Sequence, residues 1–206
     1  MDRLIIIVID ALRHDFLTPE NTPNIMKLIK GDGCLSVAKV ESPTVTLPRI
    51  KALTTGSVPQ FVDMILNLLD TESASDSILH QAINYGKEIV FYGDDTWLKL
   101  YPDMFLRSEG TSSFYVYDYT EVDNNVTRNA REELEREDWD IMILHYLGLD
   151  HIGHVTGPFS PLIQPKLREM DEIIEEIYNA TLGERRLVVV TGDHGMKDSG
   201  GHGVFL

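Results

Sequence analysis

Four short apolar runs rich in β-branched residues constrain this chain most. They are Leu4-Ile-Ile-Ile-Val-Ile9, Glu88-Ile-Val-Phe-Tyr92, Ile141-Met-Ile-Leu-His145 and Leu187-Val-Val-Val-Thr191. None alternates apolar with polar residues, so each reads as a strand buried on both faces. Val37 to Glu41 is a weaker fifth candidate. Helical segments separate the runs. Thr22-Pro23 opens one that stops at Gly31, with Thr22 as cap and Pro23 at the first position. Others run from Ser77 to Tyr85, from Asp123 to Glu137, and from Gln164 to Leu182, where Leu167, Met170, Ile173, Ile174 and Ile177 recur at helical spacing. Strands alternating with helices give an α/β fold around a largely parallel central sheet. Such sheets bind ligands beyond the carboxyl ends of their strands.

Composition narrows the function. The 206 residues carry a formal charge of −15, which argues against binding nucleic acid, because that contact needs clustered Lys and Arg. No apolar run is long enough to span a bilayer or to form a signal-peptide core. A single cysteine, Cys34, excludes an internal disulfide framework and is expected to act as a small core hydrophobe. No linker divides residues 1–206, so one domain is expected. Asp70 to Asp76 reads as a solvated loop. Gly203-Val-Phe-Leu206 reads as a further strand that stops early, the mark of a fragment of a longer protein.

Three of the four strong strands run into acidic or imidazole residues. The first runs into Asp10. The strand through Leu144 runs into Asp150-His-Ile-Gly-His154, and the last into Gly192-Asp193-His194-Gly195 with His202 just beyond. Three carboxylates and three imidazoles thus meet at one sheet edge, and these are ligand types that Zn²⁺ takes. Asp150 and His154, four apart, would share one face of a helix. Carboxylates gathered there would raise one another's pKa without a compensating cation. His151, between them, is expected to lie behind the ligands or to face solvent.

A hydroxyl stands upstream. In Ser42-Pro-Thr-Val-Thr-Leu-Pro-Arg49 two threonines compete for a helix start. With Thr46 as the cap, Pro48 falls in the first turn, where its missing N–H costs nothing. With Thr44 as the cap, Pro48 removes a needed donor. Thr46 is the better-placed nucleophile, at a helix N-terminus that favours an alkoxide or a phosphate. Thr44 is the alternate.

Across nearly the whole length, in order, these segments resemble the glycosylphosphatidylinositol (GPI) ethanolamine phosphate transferases of the alkaline phosphatase superfamily, the type 2 branch most and type 3 next. The residues that carry the resemblance are Val8-Ile-Asp-Ala-Leu-Arg13, Pro43 to Gly56, Phe91-Tyr-Gly-Asp-Asp-Thr-Trp97, Val122-Asp-Asn-Asn125, His145 to His154 with Gly157-Pro158, and Thr191-Gly-Asp-His-Gly-Met196. The resemblance implies an alkaline-phosphatase-like sheet with helices on both faces. It also implies two zinc ions, one held by Asp150, His154 and His202, the other by Asp10, Asp193, His194 and Thr46. Related phosphodiesterases place the nucleophile two residues before the proline, which again selects Thr46.

The implied reaction moves phosphoethanolamine from phosphatidylethanolamine to a mannose of a GPI precursor through a phospho-threonine intermediate. The cationic ethanolamine would find carboxylates in Asp94, Asp95 or Glu121 and aromatic faces in Tyr92, Trp97 or Tyr119. The resemblance further implies the endoplasmic reticulum membrane with a lumenal catalytic part, and it allows a small multi-spanning partner subunit. The tripeptides Asn125-Val-Thr127 and Asn179-Ala-Thr181 permit lumenal glycosylation. A hydrolase of the same superfamily and an inactive binding fragment are the competing readings.

Overall fold

The structure, a computed structural model, describes residues 3–58 and 76–199, and 202–203 as backbone. The Asp70 to Asp76 loop falls almost wholly outside these residues. Five strands, β1 (Arg3–Ile9), β2 (Ile89–Asp94), β3 (Arg107–Thr111), β4 (Ile141–Tyr146) and β5 (Arg186–Thr191), form one sheet in the order β3-β2-β4-β1-β5. Every pairing in it is parallel. Strand β1, between β4 and β5, is aligned on β4 with Val8 opposite His145, and on β5 with Val8 opposite Thr191.

Successive side chains of a strand point to opposite faces, so the unbroken apolar runs supply two cores. Ile5, Ile7 and Ile9 of β1 join Met142, Leu144 and Tyr146 of β4 on one face. There they meet α1 (Pro23–Gly31), α5 (Glu121–Leu134), α6 (Gly148–Thr156) and α7 (Ile163–Ala180), the last through Leu167, Met170, Ile173, Ile174 and Ile177. Val8 and Ile143 face the other way, with Phe91 of β2. They pack on Ile50 of α2 (Thr46–Thr55), Leu79 of α3 (Ile78–Asn84) and Trp97 of α4 (Thr96–Leu100). Helices therefore cover both faces. A two-stranded antiparallel hairpin, β6 (Gly195–Met196) with β7 (His202–Gly203), follows β5.

Several sequence expectations shift. Val37 to Glu41 forms no strand: only Lys39 makes an isolated bridge, and Val37 is exposed. The missing fifth strand is β3, whose sequence Arg-Ser-Glu-Gly-Thr has no apolar run because it pairs on one side only, with β2. Cys34 is exposed rather than buried. Thr22 precedes α1 as expected, but its hydroxyl donates to Thr18 O. The free amides of Asn24 and Ile25 instead donate to the carboxylate of Asp171 on α7 at 3.0 and 2.8 Å. A cap read from local sequence is here supplied from another helix, which fastens the two together.

Gly93, at the end of β2, has φ +136°, and a Cβ there would stand 2.2 Å from His145 O on β4. Gly93→Ala is therefore expected to cost roughly 3 kcal/mol or more, from backbone strain and overpacking together. Urea denaturation of the metal-free protein measures this, and a loss under 1 kcal/mol would mean that the strands separate freely.

Candidate metal centre

Asp10 lies one residue past β1, and its amide donates to Tyr146 O at 2.9 Å, extending the β1–β4 ladder. The chain then turns through Ala11 at φ 59°, a left-handed conformation that costs a non-glycine residue on the order of 1 kcal/mol. That turn aims the Ala11 amide at Asp193 Oδ1, 3.3 Å away. The same oxygen accepts from His194 N at 2.8 Å. Two carboxylates and an imidazole thus converge: one ligand atom each from Asp10, Asp193 and His194 lie within 4.8 Å of one another, and all three residues are buried. Asp10 Oδ1 is 3.2 Å and Asp193 Oδ2 3.5 Å from His194 Nε2.

Hydrogen positions follow from the partners. His194 Nδ1 lies 3.0 Å from Gly195 O, and a carbonyl only accepts, so Nδ1 carries the proton and Nε2 the lone pair. A ring nitrogen tied to a backbone carbonyl while the other faces carboxylates is the arrangement of a metal-ligating histidine. Neither Asp10 Oδ1 nor Asp193 Oδ2 receives a hydrogen bond among the described residues. Burial, and then the charges of Asp193, Asp150 and Asp94, push the Asp10 carboxyl well above the usual range. Oxygen and nitrogen donors, sealed from water and mutually repelling, fit a divalent cation of the zinc kind.

The hydroxyl is adjacent. Thr46 Oγ1 donates to Asp10 Oδ2 at 3.3 Å, so the two oxygens of Asp10 divide between the hydroxyl and the metal cluster. Val45, not Thr46, caps α2, with Thr46 as its first residue. Val45 O accepts from Arg49 N, and Pro48 stays in the first turn. Thr44 is half-buried on the approach to the helix.

The second group of expected ligands is partly assembled. Asp150 and His154 share a face of α6, with Asp150 Oδ2 3.2 Å from His154 Nε2, and Asp150 is close enough to raise the pKa of Asp10. The Asp150 bond holds the His154 imidazolium above its usual pKa. His202 is placed through its backbone, opposite Met196 in the hairpin; its side chain lies outside the described residues. His151 is buried, not solvent-facing, with Nδ1 2.7 Å from Asp118 O.

The expected ethanolamine cradle is largely spent elsewhere. Tyr92 donates its hydroxyl to Glu133, Asp95 pairs with Lys99, and Glu121 pairs with Arg128. Asp94 is fully buried and caps Thr96 through Oδ1. Trp97 belongs to the core. Of the two glycosylation tripeptides, Asn179 is exposed on α7, whereas the Asn125 amide donates to Glu109.

Sequence reading missed the residues that hold α6. Asp123 Oδ1 of α5 accepts from Leu147 N and Gly148 N at 2.9 and 3.0 Å, capping the helix that carries Asp150 and His154. Lys166 of α7, itself buried, donates to its other oxygen at 3.0 Å. A Cβ at Gly148 would strike Asp123 Oδ2 at 2.3 Å. Asp123→Ala leaves two amides without their acceptor and the buried Lys166 ammonium with Glu169 as its remaining partner, and should cost about 3 kcal/mol. The metal-free unfolding free energy measures that loss. Asp123→Asn with Lys166→Met should recover much of it, since no buried charge is then unpaired.

The sequence model of a family described as type I phosphodiesterase / nucleotide pyrophosphatase matches residues 83–206. The chain belongs to that family. Among relatives of this phosphodiesterase family chain, the human protein named GPI ethanolamine phosphate transferase 2, catalytic subunit, is 51% identical over 98% of the chain. The chain spans 22% of that relative's length. Among solved structures, the C-terminal periplasmic domain of EcEptC from Escherichia coli, a complex with Zn, aligns at TM-score 0.67 and 15% identity, covering 95% of this chain and 64% of that one. Murine ectonucleotide pyrophosphatase / phosphodiesterase 5, as an inactive threonine-to-alanine variant in complex with AMP, aligns at TM-score 0.67 and 17% identity, covering 96% of this chain and 58% of that one. The fold of this phosphodiesterase family member is thus the alkaline-phosphatase-like α/β fold of those structures.

Proposed function

We propose that the chain is the catalytic part of an enzyme that moves phosphoethanolamine from phosphatidylethanolamine to a mannose of a GPI precursor, with Thr46 as nucleophile. One observation carries this reading: Thr46 Oγ1 rests on the Asp10 oxygen whose partner oxygen belongs to the Asp193–His194 cluster. The name of the human relative, a GPI ethanolamine phosphate transferase, supports the class of reaction; phosphatidylethanolamine as donor, mannose as acceptor, and an endoplasmic reticulum membrane location with this part lumenal belong to the proposal. No helix of the described residues is long and apolar enough to cross a membrane.

Asp10, Asp193, His194 and Thr46 would hold one zinc ion, and Asp150, His154 and His202 a second. When bound, such a pair supplies positive charge for the attacking and leaving oxygens of an in-line displacement. The chain's own groups do the rest. The Thr46 proton lies on the line to Asp10 Oδ2, which accepts it as Oγ1 bonds to phosphorus. The bond from phosphorus to the diacylglycerol oxygen breaks, and that oxygen leaves as an alcohol after taking the proton that Asp10 accepted. In the second half the mannose hydroxyl attacks phosphorus, the Thr46–phosphorus bond breaks, and the proton of the hydroxyl returns to Thr46.

A second reading, hydrolysis with water as acceptor, is favoured by the family description itself. Labelled phosphatidylethanolamine, supplied with and without a mannoside acceptor, separates the two. Transfer predicts labelled mannoside and a phosphoethanolamine adduct on the peptide carrying Thr46. Equal release of free phosphoethanolamine in both tubes would replace transferase by hydrolase, and no turnover by zinc-loaded protein would remove both.

A further inference from the structure

His145 belongs to none of the ligand sets above, yet it is fully buried at the carboxyl end of β4. Trp97 Nε1 donates to His145 Nδ1 at 2.9 Å, with the two rings edge to face at 88°. An indole nitrogen only donates, so Nδ1 must carry the lone pair and the neutral ring carries its proton on Nε2. That N–H has no acceptor within hydrogen-bond range. It stands 3.6 Å from Asp10 Oδ2, the same oxygen that accepts from Thr46. A shift of a few tenths of an ångström makes the contact a hydrogen bond.

We infer that His145 is a positioning residue: its Nε2–H, fixed by the Trp97 indole, holds Asp10 so that Oδ1 faces the Asp193–His194 cluster and Oδ2 faces Thr46. The inference deepens the proposed function and rests on its assignment of Asp10. Three features make the arrangement specific rather than incidental packing. The β1–β4 register places Val8 opposite His145, which brings Asp10 alongside. Gly93 is the one residue type that lets β2 close on the His145 backbone. Trp97, delivered by the short helix after Asp94, spends its only polar atom on this ring. A histidine retained for bulk alone would not need a donor aimed at Nδ1. Partners of metal ligands tune affinity by orienting them, typically 10–100-fold.

The test begins on metal-free protein with ¹⁵N-labelled histidine. The His145 resonances should report a protonated Nε2 and a bare Nδ1 in the wild type, and a mixture of tautomers in Trp97→Phe, which keeps an aromatic ring but removes the donor. Zinc affinity, measured by competition with a chelator, should then fall about 10–100-fold in His145→Leu. It should fall less in His145→Gln, whose side-chain amide can set an N–H where Nε2 stood, and kcat should follow the same order with KM for the lipid little changed. A proton on Nδ1 in the wild type overturns the inference, as do equal losses in the Leu and Gln variants. Wild-type zinc affinity in both variants overturns it as well. If His145→Leu does not fold, Trp97→Phe carries the same test through the tautomer and the affinity. A wild-type protein that binds no zinc would instead defeat the assignment of Asp10, while the tautomer would still decide the role of His145.

Discussion

Asp10→Asn is expected to act in opposite directions on metal binding and on stability. Zinc affinity should fall by more than about 100-fold, since even partners of a ligand are worth 10–100-fold and Asp10 is placed as a ligand. The metal-free protein should nevertheless become more stable at neutral pH. Burial and the neighbouring Asp193, Asp150 and Asp94 hold the folded-state pKa of Asp10 above its unfolded value. Between those two values the folded state binds more protons than the unfolded one, so stability falls as pH rises from about 4 upward. Asparagine removes that loss, and its amide can donate toward His194 Nε2 while its carbonyl still accepts from Thr46. Thermal melts from pH 4 to pH 8 in chelator check the sign. The advantage of the variant should be absent near pH 4 and grow with pH. An advantage that shrank as pH rose would show that Asp10 is stabilised as an anion without metal, and the metal-centre assignment would lose its electrostatic basis.

Thr46→Ala should abolish transfer, on the order of 10⁴-fold or more, the scale of losing a covalent nucleophile, while zinc stays bound. Asp10, Asp193 and His194 remain in place when only a hydroxyl is removed. The variant also keeps the start of α2, because Val45, not Thr46, precedes its first turn. Thr44→Ala, two residues upstream, should retain most activity. Metal content by elemental analysis and turnover of labelled phosphatidylethanolamine are measured on the same preparations. Activity surviving in Thr46→Ala and lost in Thr44→Ala would move the nucleophile. Zinc lost together with activity in Thr46→Ala would make the threonine a structural ligand first.

Much of this was legible in the sequence because it is written in local patterns. Unbroken β-branched runs announced β1, β2, β4 and β5, and Asp10, Asp193 and His194 stood where a parallel sheet presents its strand ends. What was hidden depends on partners far along the chain. The polar run Arg107–Thr111 is a strand only because β2 offers it an edge. The apolar Val37 finds no such edge and stays in the open. The α1 start falls where Thr22-Pro23 put it, but the groups that satisfy the helix-start amides were hidden for the same reason: Asp171 caps α1 and Asp123 caps α6, neither being near in sequence. His145 and Trp97 each look like ordinary core from composition. Their pairing across 48 residues appears only once β2 and β4 lie side by side. A histidine ending an otherwise apolar strand was the available signal.

The Asp193 carboxylate that grips the Ala11 amide lies 182 residues further along the chain. On a ribosome the first of the site's acids therefore emerges long before its partners, and it waits beside an unfinished sheet edge until β5 arrives to pair with β1. Capture of an ion at this site would then wait for β5 rather than seed the sheet. A truncated or stalled nascent chain would carry the nucleophile and yet be chemically silent.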